Sequence, residues 1–326
     1  MKEYAIKERV VGVDISLDKT TFAIIDVRGN IIARNDFMTE LYPNINDFLS
    51  VLCDSIFDLI TKTGGYDTVR SVGISVPSGN CVTGSIENSA NMPWKGVIPL
   101  AVMVRDRLGL AVALANNAHV IALGEHAFGC AHGMRDFVIL SLDSGMGSCV
   151  FSNGEVYLGN NGFSGEIGHT CYEPDGRQCG CGNKGCLEMY TAGKGIIITA
   201  KEVMAESNRP SLMRNVEKLT PKMIISFCDE GDELAIEVMR RTGHALGVGL
   251  ANYATVFNPE AFIFTGSISH AGKWLMEPAE KVFDENVFPN IRGRVKFVIS
   301  EFADRELNLL GASVLAWKVK EYSLFK

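Results

Sequence analysis

Two stretches of this chain read alike: Gly12–Ala33, GVDISLDKTTFAIIDVRGNIIA, and Ile139–Gly159, ILSLDSGMGSCVFSNGEVYLG. Each runs strand, polar loop, strand, glycine-containing turn, strand, with apolar residues grouped in the strands and turn formers between them. A strand–hairpin unit that recurs once predicts an internal duplication. The expected product is a two-lobed α/β protein whose hairpin loops face a cleft. Such a cleft suits a phosphate group gripped from both sides.

Working outward from the first stretch, NINDFLSVLCDSIFDLITKT sets Ile45, Phe48, Leu49, Leu52, Ile56, Leu59 and Ile60 on one helical face. TVRSVGISV reads as a strand, PLAVMVRDRLG as a helix, AVALA as a strand and AHVIALGEHAF as a helix. Beyond the second stretch, DELAIEVMRRTGHALGVGLANYATVF is a long helix. AFIFTGS is a strand entering a small-residue turn, VKFVIS a strand, and LNLLGASVLAWKVK a closing helix. The expected division is a small N-terminal lobe over 1–117 and a large lobe over 118–305, with the helix at 306–326 packing back on the first.

The chain has 326 residues, 31 Lys and Arg against 38 Asp and Glu, and a net charge of −7. With no basic stripe, nucleic acid is not an expected partner. The first residues lack a signal-like apolar run, and no stretch has the length of a membrane span. A cytoplasmic protein with no membrane partner is expected. In that compartment its nine cysteines should be buried, metal-bound or reactive rather than disulfide-paired. Cys53, Cys81, Cys130, Cys149 and Cys228 are scattered and read as packing residues.

The others crowd into Gly165–Glu188, GEIGHTCYEPDGRQCGCGNKGCLE. His169, Cys179, Cys181 and Cys186 supply one imidazole and three thiolates, a donor set for tetrahedral zinc with no open position, hence a structural ion. The intervening glycines let the backbone wrap it. Cys171 is a spare sulfur able to exchange with a ligand. The zinc loop, 165–188, carries Glu166 and Glu188.

G-E-I-G-H followed by C-G-C-G-N-K-G-C-L-E resembles the signature of the ROK family, which comprises bacterial sugar kinases and repressors built on the same fold. The resemblance runs from Gly12-Val-Asp-Ile to Gly311-Ala-Ser. It implies the actin-like ATPase fold of the hexokinase and RNase H type, a hexose in the cleft, ATP with Mg2+ as phosphoryl donor, and homodimers or homotetramers. Only a short segment precedes the first expected strand, so the repressors' N-terminal helix-turn-helix is not expected.

By this resemblance the sugar contacts fall on Asn91, Asn116, Asn117, Glu166, His169 and Glu188. His169 would serve twice, with one ring nitrogen on zinc and the other toward a sugar hydroxyl. The nucleotide side falls on Asp14 and Lys19, on Ser144, Gly145 and Gly147, and on Gly266. Here the chain departs from the pattern. A first loop resembling D-x-G-G-T is Asp14-Ile15-Ser16-Leu17-Asp18-Lys19, without its glycines or threonine. The second, resembling G-T-G-x-G, begins with Asp143, and the third, a glycine triplet, is Thr265-Gly266-Ser267. Ser78 follows Pro77 where glycine is common.

The sharpest departure is in LANNAH, Leu114–His119. The family's Asn-Asp pair falls on Asn116-Asn117, and the aspartate takes the proton of the attacking sugar hydroxyl. An amide at Asn117 can accept a hydrogen bond from that hydroxyl and cannot take the proton. His119, two positions on in a helix, points elsewhere. Two readings follow: an ATP-dependent hexose kinase, glucokinase-like, or a catalytically impaired sugar sensor or regulatory binding protein. A repressor core is a weaker third.

Overall fold

A computed structural model describes residues 7–89, 92–302 and 304–319. Asn91 therefore lies outside the described residues. The chain forms two compact units. One comprises the described residues of Met1–Gly133, Leu158–Phe163 and Glu301–Lys326, and the other Met134–Tyr157 and Ser164–Ser300.

In the first unit, β1 (Arg9–Ile15), β2 (Lys19–Asp26) and β3 (Ile31–Met38) form the antiparallel run foreseen in the sequence. Helix α1 (Ile45–Lys62) follows, started by Asn44, whose side-chain oxygen accepts from the Asn46 N–H at 2.8 Å. It buries Phe48, Leu49, Leu52, Ile56 and Ile60 of the predicted face, together with Cys53, while Ile45 and Leu59 are half-buried at its margin. Strand β4 (Val69–Ser75) pairs parallel with β1. A small sheet of β5 (Gly79–Asn80), β6 (Ser85–Glu87) and β7 (Val97–Ile98) comes next and was not legible as strands, being too short to show alternation. Helix α2 (Leu100–Leu108), strand β8 (Ala111–Ala115) and helix α3 (Asn117–Phe128) complete this part. The main sheet order is β3-β2-β1-β4-β8.

The second unit repeats this plan. Strands β9 (Phe137–Leu142), β10 (Met146–Ser152) and β11 (Glu155–Val156) are antiparallel neighbours. Helices α4 (Glu188–Thr191), α5 (Gly193–Glu206), α6 (Pro221–Asp229) and α7 (Glu233–Phe257) follow. Then come β12 (Ala261–Thr265), α8 (Lys273–Asn286) and β13 (Lys296–Ile299). The sheet order, β11-β10-β9-β12-β13, with the last two pairings parallel, matches the first sheet position for position. Strand β11 is shorter than EVYLGN promised: after Tyr157 the chain leaves the second unit, and Leu158–Phe163 belong to the first. There the Asn161 carbonyl accepts from Asn80 Nδ2 at 2.9 Å.

Closing helix α9 (Asp304–Lys318) packs on β1, β4 and α3. Gly73 permits this, since a Cβ there would stand 1.9 Å from the Ala312 carbonyl oxygen. The opening segment of the first unit runs through α3 to Gly133, and α3 packs along α9.

Candidate functional site

In the first unit three of the sequence-derived residues, Asp14, Asn116 and Asn117, gather at the carboxyl ends of parallel strands, the usual ligand edge of such a sheet. Asp14, near the end of β1, is buried and pairs in register with Ser75 on β4, which pairs with Ala115 on β8. Asn116 and Asn117 follow at once. Asn116 caps α3, its side-chain oxygen accepting from the Ala118 N–H at 3.0 Å, which leaves both N–H donors of its amide and one lone pair for another partner. The Asn117 Oδ1 is buried and, among the described residues, has no hydrogen-bond partner. A buried acceptor in that state asks for a ligand or water. Sequence reasoning missed Ser75, whose hydroxyl is likewise buried without a partner at this edge. A serine ending a strand carries no signal until its neighbours are known.

Lys19 does not stand free. Its Nζ pairs with Asp36 on β3 at 2.7 Å. The β1–β2 hairpin closes with the Ser16 N–H donating to the Lys19 carbonyl at 3.1 Å, leaving Leu17, 53 % exposed, and Asp18 at the tip. Ser78 adopts φ 58°, a left-handed conformation that glycine takes without strain.

In the second unit, the four proposed metal-binding side chains come together. One ligand atom from each of His169, Cys179, Cys181 and Cys186 lies within 4.8 Å of all the others. Cys181 Sγ is 3.6 Å from Cys186 Sγ, and Cys179 Sγ is 3.7 Å from His169 Nδ1. Sulfurs at zinc–thiolate bond lengths of about 2.3 Å in a tetrahedron would stand about this far apart, so the set fits one ion. With Nδ1 turned to the cysteines, Nε2 of His169 is left for a second partner. Cys171 is exposed and outside the set.

Glu188 opens α4 beside this cluster. Its Oε2 accepts from the Met146 N–H at 2.8 Å, and its Oε1 accepts from the Cys179 thiol at 3.8 Å. The carboxylate thus ties the cysteine loop to the β9–β10 hairpin. Gly145 makes room for it, because a Cβ there would come within 2.7 Å of Glu188 Oε2. Burial pushes the Glu166 carboxyl up, with His169 opposing and Glu188 adding to the shift. A residue with no sequence signal, Arg177, holds the loop down. Its guanidinium donates to the Met189 carbonyl at 2.7 Å and to Glu202 at 2.5 Å, and lies 4.4 Å over the Tyr190 ring.

The hairpin tip Asp143–Gly145 keeps its small residues, with Ser144 exposed and Gly147 just inside β10. Its acid is engaged. Asp143 Oδ1 accepts from the Ser267 N–H at 2.8 Å and from the Ser267 hydroxyl at 2.5 Å. Ser267 follows Gly266, which turns the chain at φ 86° after β12. The Asp143 carboxylate therefore takes both the backbone and the hydroxyl donor of Ser267. Thr265, ending β12 as Ser75 ends β4, also buries a hydroxyl with no partner among the described residues.

The sequence pattern of the ROK family matches residues 10–319. The chain belongs to the ROK family. Among its curated relatives is a glucokinase of Halalkalibacterium halodurans, 29 % identical over 321 residues, covering 95 % of this chain and 94 % of the relative. A solved ROK glucokinase from Streptomyces griseus, in complex with glucose and AMPPNP, is 27 % identical with a TM-score of 0.77, covering 95 % of this chain and all (100 %) of that one. A ROK transcriptional regulator, a homolog of the E. coli MLC protein, is 26 % identical with a TM-score of 0.84 over 95 % of this chain and 78 % of its own. The fold is the actin-like ATPase fold of ROK sugar kinases, and the ROK relatives include both kinases and repressors. No helix among the described residues is long and apolar enough to cross a membrane.

Proposed function

We propose that this chain binds a hexose through Asn116, Asn117, Glu166, His169 and Glu188, and that it transfers phosphate from ATP poorly or not at all. It would act as a ROK sugar sensor or regulatory binding protein. The observation that carries this reading is Asn117, whose buried Oδ1, without a partner among the described residues, can accept a hydrogen bond from a sugar hydroxyl but cannot remove its proton. General-base catalysis is worth about 10²–10⁴-fold. Positioning and charge neutralisation supply most of the remainder of phosphoryl transfer, and those parts are altered too. Lys19 is held by Asp36, and Asp143 occupies the Ser267 donors.

His169, Cys179, Cys181 and Cys186 would hold zinc, which supplies a rigid cross-link for the loop. The chain's own groups do the recognition. Asn116 donates its amide, Asn117 accepts, Glu188 and Glu166 accept from ring hydroxyls, and His169 Nε2 offers a further polar contact. A polar set of this kind discriminates strongly, because a sugar lacking one hydroxyl leaves a buried group unpaired.

A kinase reading is favoured by Asp14, retained at the sheet edge where it can orient hydrated Mg2+, and by Gly145, Gly147 and Gly266. The deciding experiment is a coupled ATP assay over a hexose panel beside calorimetry with the same sugars. Saturable sugar binding without turnover is the expected result. Robust turnover by the native protein would overthrow it in favour of the kinase.

A further inference from the structure

Outside the ligand set, Cys171 stands directly across an antiparallel bridge from the ligand Cys186. The flanking hydrogen bonds, Tyr172 N–H to the Gly185 carbonyl at 2.8 Å and Leu187 N–H to the Thr170 carbonyl at 2.9 Å, define the type of pair. Cys171 and Cys186 are a non-hydrogen-bonded pair, in which Cα atoms approach to about 4.5 Å and both side chains leave the same face. Disulfides span Cα separations of about 4.4–6.8 Å, so the backbone is already set for a bond between them. The two thiols differ in reach. Cys186 is buried, 3.6 Å from Cys181 Sγ, whereas Cys171 is exposed and lines a surface cavity of about 180 Å³ with Tyr172, Val248 and Asn252.

From this pairing we infer an oxidative switch: a peroxide joins Cys171 to Cys186, and the zinc loop loses one of its four ligands. The inference rests on the zinc reading above. The peroxide O–O bond breaks as the Cys171 thiolate takes one oxygen, giving a sulfenic acid and hydroxide. Cys186 then attacks that sulfur; the S–S bond forms, the S–O bond breaks, and the second oxygen leaves as hydroxide. Two thiols and one peroxide thus give one disulfide and two waters, with both electrons passing to the peroxide oxygens. Withdrawal of Cys186 loosens the segment that carries Glu166 and Glu188, so sugar binding would fall with oxidation. A dithiol reverses the bond.

The test uses the reduced full-length protein, its zinc content first measured by elemental analysis. Hydrogen peroxide is added while a chromogenic chelator follows the metal, and non-reducing peptide mapping identifies the bond. Expected are one Cys171–Cys186 disulfide per zinc released, recovery on adding dithiothreitol and zinc, and release slowed about tenfold or more in Cys171→Ser, where no such bond can form. A Cys181–Cys186 or Cys179–Cys181 bond in its place, or equal release from Cys171→Ser, overturns the switch. A reduced protein that holds no zinc overturns the metal reading and with it the switch. Mapping then still reports whether Cys171 and Cys186 pair, so the two failures are told apart.

Discussion

The two hairpin tips occupy the same position in matching sheets and have diverged in opposite ways. In the first, Ser16-Leu17-Asp18 covers the tip with side chains, Leu17 exposed among them, and Lys19 is drawn to Asp36. In the second, Gly145 and Gly147 persist, but the Asp143 carboxylate binds Ser267 within the same unit. One tip is covered by side chains, and the other leaves glycine backbone bare but turns a carboxylate onto the neighbouring Ser267 donors. The same topology therefore does not preserve the same chemistry. Side chains at the tip and their long-range partners control it.

The largest effect should fall on one unit alone. Structural zinc contributes about 10–16 kcal/mol of apparent binding energy in small metal-stabilised folds. Removing it, or changing Cys179 to Ser, should abolish amide protection across 165–188 while β1 and β2 keep theirs. Hydrogen exchange resolved by peptide measures this, and equal loss in both units would show that they unfold as one body.

Next in size is Asn117→Asp. It restores a proton acceptor and should raise phosphorylation by about 10²–10⁴-fold wherever ATP is bound productively. Combining it with Asp143→Gly separates the two tips. If the second tip alone limits nucleotide binding, the double variant turns over. If it stays inactive until Leu17→Gly and Asp18→Thr are added, the first tip is the limiting one. Asp143→Gly by itself should tighten binding of a non-hydrolysable ATP analogue by about tenfold, the effect of relieving one like charge and freeing two donors. Unchanged affinity would mean that the Asp143–Ser267 contact does not compete with nucleotide.

The smallest effect is on acid stability. Arg240, and then Arg241, hold the Glu237 carboxyl in α7 at about 2. A carboxylate depressed in the folded state stabilises above its unfolded value, about 4.3, and that contribution fades as pH falls toward the folded value. Glu237→Gln should therefore be less stable than the native protein at neutral pH, with the difference shrinking below pH about 4. Thermal melts across pH test this; a difference that persists undiminished at pH about 2.5 contradicts it.

Much of the candidate site was legible because its signals are local. The spacing of His169, Cys179, Cys181 and Cys186 is fixed within one loop, and the four side chains converge as spacing required. Repeated strand–hairpin patterns in Gly12–Ala33 and Ile139–Gly159 carried the duplication, since alternation and turn residues report on neighbours in the chain. Asn117 at a strand-to-helix junction was likewise visible, because β8 and α3 adjoin. The sequence alone thus determined the family, the doubled α/β plan, and the one imidazole and three thiols that come together in the cysteine loop. Only the tertiary structure decided how those groups are engaged. Asp143 and Ser267 are 124 positions apart, and Lys19 meets Asp36 across a strand pair. Asn116 gives its oxygen to a helix cap, Glu188 braces a hairpin, and Cys171 faces Cys186 only because the loop folds back on itself. Composition and periodicity describe what each segment prefers; which acceptor meets which donor depends on distances that only the packed chain sets.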